Sequence, residues 1–153
     1  MSDRHVARTI GFRRYTCAYV LAVLALAVAQ YAIQAYFAYR LPAGMSTWLP
    51  VMVAAMDAGQ HFARRHDAAL PGRDAWSLAV RATLIVLAVN LLILAVLLAS
   101  TDALAPLARL SPPLIVAVAA FLMLVIFLTN RIFLTLGARN ELKARARRAG
   151  RGG

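Results

Sequence analysis

Asp57, Gln60 and His61 form the group of residues in this chain whose types and spacing could move a proton. Offsets of three and four place all three on one face of a helix. A carboxylate and an imidazole are the groups that proton relays employ. Here they interrupt a largely apolar stretch, and an aspartate at the centre of a membrane helix costs roughly 2.5–3.5 kcal/mol. Such a group is therefore paired, open to an aqueous cavity, or part of a transport path. At 1.5 Å per residue, Asp57 lies about 10 Å and Arg81 about 7 Å from the inner boundary of their segments, so the depths permit an ion pair. Arg131, preceded by Thr129 and Asn130, nears the same boundary and can extend its guanidinium towards water. The expected inner-leaflet polar cluster is Asp57, Gln60, His61, Arg81, Asn130 and Arg131.

Two readings of that cluster stay open. In the structural one, Asp57 neutralises Arg81 or Arg131 and fixes the packing of its helix, while His61 caps the interface region. In the other, Asp57, together with His61, titrates in a small proton- or ion-coupled transporter. A single buried acid favours the structural reading. Small multidrug transporters also have four spans, but their acid lies in the first helix, and the first apolar stretch here has none.

Enzymatic chemistry has little to stand on. No Ser or Cys nucleophile accompanies His61 at a recognisable spacing, and the lone Cys17, within an apolar stretch, reads as packing. His5, His61 and His66 form no HExxH, no cysteine cluster and no paired-carboxylate site. A glycine-rich phosphate loop is also missing. The chain is expected to be non-enzymatic, with no catalytic residue, cofactor or metal.

The elements that must position these residues follow from composition. Hydrophobic residues make up 62% of the 153, against roughly 45–50% in an ordinary soluble domain. That excess excludes a disordered chain, and one cysteine excludes an internal disulfide scaffold. Four apolar segments, at about 15–38, 45–63, 76–100 and 113–134, each reach the length that a helical span requires, about 20 residues. Hydrocarbon offers the backbone no hydrogen-bond partner, so these segments should be helices. The expected fold is all-α, an integral-membrane antiparallel four-helix bundle over 15–134, between a basic N-terminus (1–14) and a basic tail (135–153). The second segment is the most interrupted.

Charge sets the expected orientation. Of 17 Lys and Arg, the N-terminus, the middle connection with its flank, and the C-terminal end hold all but Arg40 and Arg109. Basic loops stay cytoplasmic, so four spans with both termini inside a bacterial inner membrane satisfy the bias. Trp48 and Tyr31, Tyr36 and Tyr39 would then sit near the outer interface, and Tyr15, Tyr19 and Trp76 near the inner one. Ala27-Val28-Ala29 before Gln30 imitates a signal cleavage site, but the apolar run continues to Tyr39, beyond a usual signal core, which favours a retained first span. The basic tail is expected to attract anionic lipid. Nucleic acid is an unlikely partner, because that tail has no aromatic residue to stack on bases.

Small residues suggest how the helices meet. Ala18, Ala22, Ala25, Ala29 and Ala32 lay a seam along the first span, and Ala55 with Gly59 makes a small-xxx-small pair on the second. Such faces also suit a second copy or another membrane protein. Gln30 and Asn90 lie at matching depth, about 21 to 23 Å from the inner ends of their helices, and could hydrogen-bond.

Ala58-Gly59-Gln60-His61-Phe62, followed by Arg64-Arg65-His66, Pro71 and Asp74, resembles the ABZJ family of small bacterial inner-membrane proteins. In that family a Gly and a Phe close the second helix, and a basic turn, a Pro and an acidic residue open the third. Gly59, Phe62, Pro71 and Asp74 match these positions. The resemblance covers about twenty residues plus the overall hydropathy. It implies a four-span bundle and supplies neither an activity nor a catalytic residue.

Overall fold

The computed structural model describes residues 12–38, 43–100 and 111–150. Residues 1–11, 39–42, 101–110 and 151–153 lie outside the described residues, and with them Tyr39, Arg40 and Arg109 of the expected outer side. Four helices account for nearly everything described: α1 (Phe12–Phe37), α2 (Ala43–His66), α3 (Gly72–Ser100) and α4 (Pro112–Ala149). The fold is an all-α bundle. The start of α1 meets the later parts of α2 and α4, so successive helices run antiparallel. Local sequence explains the boundaries. Asp74 sits in the first turn of α3, where the helix dipole favours a carboxylate. Ser111 precedes α4, with Pro112 and Pro113 occupying its first positions, where a missing N–H has no intrahelical partner to lose. Asp67 ends α2 in the left-handed region at φ 47°, a conformation that Asp tolerates better than most residues.

Three of the four helices are long and apolar enough to cross a membrane, within Arg13–Phe37, Gly72–Val96 and Pro112–Ala149. This is the composition of a membrane protein. The second expected span, α2, falls short of that measure for a physical reason. It is the helix most enclosed by the others, with Val51, Ala54, Ala55, Ala58, Phe62 and Ala63 all buried, and its outward face carries Asp57, Gln60 and His61, which lower its hydropathy.

The closest pairing in the bundle is α2 with α4; α1 lies on α2, and α3 on α4. Two glycines set the α2–α4 approach. A Cβ added to Gly59 would run into the Leu134 carbonyl and come within 3.0 Å of the Ala138 nitrogen, and one added to Gly137 would run into the Met56 carbonyl. Of the expected small-xxx-small pair on α2, Gly59 makes the close approach, and it faces α4. The alanine seam of α1 does not form a buried interface along its length, because Ala25 and Ala29 are exposed. Burial on α1 comes instead from Tyr15 and Tyr19. The core occupies one half of the bundle, around 15–19, 50–63, 70–86 and 126–138, while the opposite halves of α1, α3 and α4 expose Leu, Val, Ile and Phe to their surroundings.

The basic tail expected over 135–153 is helical through residue 149. Residues 135–149 continue α4, giving a 38-residue helix about 57 Å long, nearly twice the hydrocarbon thickness. Its extension docks on the end of α2. Arg64 meets Glu141 at 3.1 Å, and Arg145 meets Asp67 at 3.0 Å and donates to the Arg64 carbonyl at 3.2 Å. Charges of the basic tail thus tie two helices together. Outside the apolar spans, the hydrogen bond from Arg64 holds the Glu141 carboxyl below its ordinary value of 4.5, and this outweighs the opposing effect of burial.

Two predictions follow from this packing. Gly59→Ala or Gly137→Ala should lower the thermal denaturation midpoint in detergent by the equivalent of about 1–3 kcal/mol, whereas Gly72→Ala, with open space around it, should cost nothing. For the docked extension, a depressed carboxyl contributes stability that is present above its unfolded value and lost as pH falls through the folded one. The protection factors of the amides over 139–149, which remove the intrinsic pH dependence of exchange, should therefore fall on acidification below the usual carboxylate range, and in Glu141→Gln they should be lower at neutral pH already.

Candidate functional site

Asp57 is paired, but with neither Arg81 nor Arg131. Both its oxygens accept from Arg14, through Nε to Oδ2 and Nη2 to Oδ1, each at 2.9 Å. The reason lies in helix placement. Because α1 begins at Phe12, Arg14 stands in its first turn rather than in a loose N-terminus, and α1 packs on α2, whereas α3 packs on α4. The pair is half-buried, with side chains 45% and 34% exposed. Gln60 and His61 are half-buried beside it, away from the Gly59 contact with α4.

Asn130 belongs to a different site. It is fully buried; its Oδ1 accepts from the Tyr15 hydroxyl at 2.7 Å, and its Nδ2 donates to Thr83 Oγ1 at 3.2 Å. One amide thereby joins α1, α3 and α4. A turn further along α1, Tyr19 stacks on Tyr15 with ring centroids 6.5 Å apart and accepts from Asn90 Nδ2 at 3.0 Å. The expected Gln30–Asn90 bond is thus replaced: Asn90 donates to Tyr19 and to the Val86 carbonyl at 2.8 Å. Tyr15 and Tyr19, expected as interfacial anchors, are core residues.

The remaining two members separate again. Arg131 lies 4.1 Å from the ring centroid of Trp76, which in turn packs on Phe127 at 5.3 Å. Arg81, half-buried, lines a small void of about 20 Å³ with Tyr15, Ala58 and Leu134. The expected six-residue cluster is therefore divided among an ion pair between α1 and α2, a buried amide network and a cation over an aromatic ring, with Arg81 apart from all three at the small void. Arg14, Tyr15 and Thr83 are the partners that sequence reasoning missed.

Beyond these, a cavity of about 320 Å³ opens between α3 and α4, lined by Trp48, Val86, Asn90, Leu94, Leu122 and Met123 among others. Its walls are nearly all apolar. Among the described residues no group of three His, Cys, Asp or Glu is placed to hold a metal ion, and Cys17 is exposed.

The buried amide makes a measurable claim. Tyr15→Phe should cost about 1 kcal/mol of stability in detergent, since it leaves the Asn130 oxygen without its donor. In a double-mutant cycle, Tyr15→Phe combined with Asn130→Leu should cost less than the sum of the single changes. Additive costs would show that the two side chains do not act together.

No family model, curated protein or solved structure matches this chain.

Proposed function

We propose that this chain is a non-enzymatic integral protein of a bacterial inner membrane, of the ABZJ kind. In this reading it crosses the bilayer four times with both termini in the cytoplasm, and it serves as a structural or accessory subunit for other membrane proteins or for copies of itself. One observation carries the functional part: Asp57, the acid with the best claim to chemistry, commits both carboxylate oxygens to Arg14. Asn130 is likewise committed to Tyr15 and Thr83. Side chains spent on one another position helices rather than carry a substrate.

Orientation rests on charge. Arg14, Arg64, Arg139 and Arg145 gather at the end of the bundle where the core lies, and basic residues stay on the cytoplasmic side. With α2 enclosed by apolar neighbours, four crossings need only three helices of full apolar character. The exposed basic residues near the end of α4, Lys143, Arg147 and Arg148, suit general attraction to anionic lipid.

The rival is a small proton- or ion-coupled transporter using Asp57, and the half-exposed position of the Arg14–Asp57 pair beside His61 is what favours it. Proteoliposomes decide between them. The structural reading expects no pH-dependent ion flux from the parent or from Asp57→Asn, with a stability loss of about 1 kcal/mol at most for a pair this exposed. Flux in the parent that Asp57→Asn abolishes would overturn it. Reporter fusions should place the carboxyl end inside the cell.

A further inference from the structure

Arginines at the basic end of the bundle fall into two kinds. Arg14, Arg64 and Arg145 each meet a carboxylate. Arg131 and Arg139 meet none among the described residues, yet they are not scattered. They stand eight residues apart on one face of α4, about 12 Å along its axis, and line a groove of about 250 Å³ with Ile132, Thr135 and Leu136. No acidic residue lines it. Thr135 turns its hydroxyl back to the Arg131 carbonyl at 2.8 Å and so adds no charge.

Arg131 is held in place by the ring of Trp76 beneath it, itself backed by Phe127. Stacking uses the face of a guanidinium and leaves its edge N–H groups to grip a phosphate. Arg131 adjoins Asn130, which is bonded to Tyr15 beside Arg14, so it lies at the level where the spans of α1 and α3 begin. That is headgroup depth, where Trp is also favoured. Just before the groove α4 exposes Leu128, and within it Ile132 and Leu136 are exposed too, giving an apolar track beside the two cations.

We propose that Arg131, Arg139 and Trp76 hold the headgroup phosphate of one anionic phospholipid from the leaflet at this end, with an acyl chain running from Ile132 past Leu128 into the span of α4. Charge selects the occupant, since two unanswered cations suit a lipid with net negative charge better than a zwitterion that brings its own ammonium. The site rests on the reading of the chain as membrane-embedded and goes beyond general attraction: it is a fixed place on α4, separate from Lys143, Arg147 and Arg148.

Trp48→Phe leaves Trp76 as the sole fluorophore of its kind in the full-length chain. The protein is reconstituted in phosphatidylcholine vesicles carrying a small fraction of dibrominated phosphatidylglycerol, whose bromines quench nearby tryptophan. Trp76 should be quenched well beyond the bulk fraction of that lipid, and beyond the quenching by dibrominated phosphatidylcholine at the same fraction. Arg139→Gln, an exposed change that leaves the fold intact, should lower the preference roughly fivefold, and Arg131→Gln similarly. Arg147→Gln with Arg148→Gln should leave it unchanged. Equal quenching by the two brominated lipids, or a preference that survives both Arg131→Gln and Arg139→Gln, would overturn the site. So would loss through the tail pair alone, which would mean diffuse attraction, or displacement by excess inorganic phosphate, which would mean a free-anion site. Extraction of the protein by alkaline carbonate tests the membrane reading by itself: an inserted chain without lipid preference sinks only this site, whereas an extracted chain sinks both.

Discussion

The bundle depends on how near two backbones can come. Gly59 and Gly137 let α2 and α4 approach until each glycine faces the other helix's main chain, at Leu134 and Met56 respectively. In a bilayer, lipid tails are as apolar as leucine, so helices gain little by expelling them and associate through close packing instead. Once α2 and α4 are joined this closely, α1 can lie on one and α3 on the other. Asp57, Gln60 and His61 lie on the half-buried outward face of α2, towards the basic end of the bundle, and Arg14 answers the carboxylate there.

Close packing sets distance but leaves sliding and rotation weakly determined, and here polar contacts supply the register. The Asn130 amide fixes α4 against α1 and α3, because its oxygen and its nitrogen answer hydroxyls on different helices. The Tyr19–Asn90 bond repeats the α1–α3 connection one turn away. Arg14 and Asp57 do the same for α1 and α2 at the rim, and the Arg64–Glu141–Arg145 group for α2 and α4 beyond it. Each pair of neighbouring helices thus has a short-range packing contact and a directional one, a combination that disfavours competing alignments.

The helical bundle was legible in the sequence because its signal is additive: apolar runs, Pro112 and Pro113 at a helix start, and Asp74 in a first turn each act locally. The need of Asp57 for a partner was legible for the same reason, since it follows from solvent alone. Which partner was not. Depth arithmetic treats helices as parallel rods and says nothing of which are neighbours, so Arg81 and Arg131 competed equally with Arg14, whose place inside α1 was hidden by counting the first fourteen residues as a terminus. Asn130 and Tyr15 were recoverable by that arithmetic, as both lie within a turn of the same end of their spans. Treating Tyr15 as an interfacial anchor obscured the match. The α4 extension escaped because Glu141 looks minor among many arginines until helix geometry brings Arg64 beside it.

Packing and polar registration are concentrated in the same half of the molecule, and the two facts have one cause. A buried amide is tolerated only where protein replaces lipid around it, so the amide network requires the tight half, and the tight half is aligned by it. Towards the other end α1, α3 and α4 present Leu24, Tyr31, Leu92, Val96, Val116 and Phe121 to their surroundings, and α3 and α4 separate around the cavity above Asn90. That half meets the demands of hydrocarbon by composition alone. A substitution there that stays apolar changes neither a directional bond nor a backbone approach, whereas one near Gly59 or Asn130 alters both. Conformational uniqueness in this protein therefore comes from about half of the bundle, and the remainder is held in place by continuity of its helices.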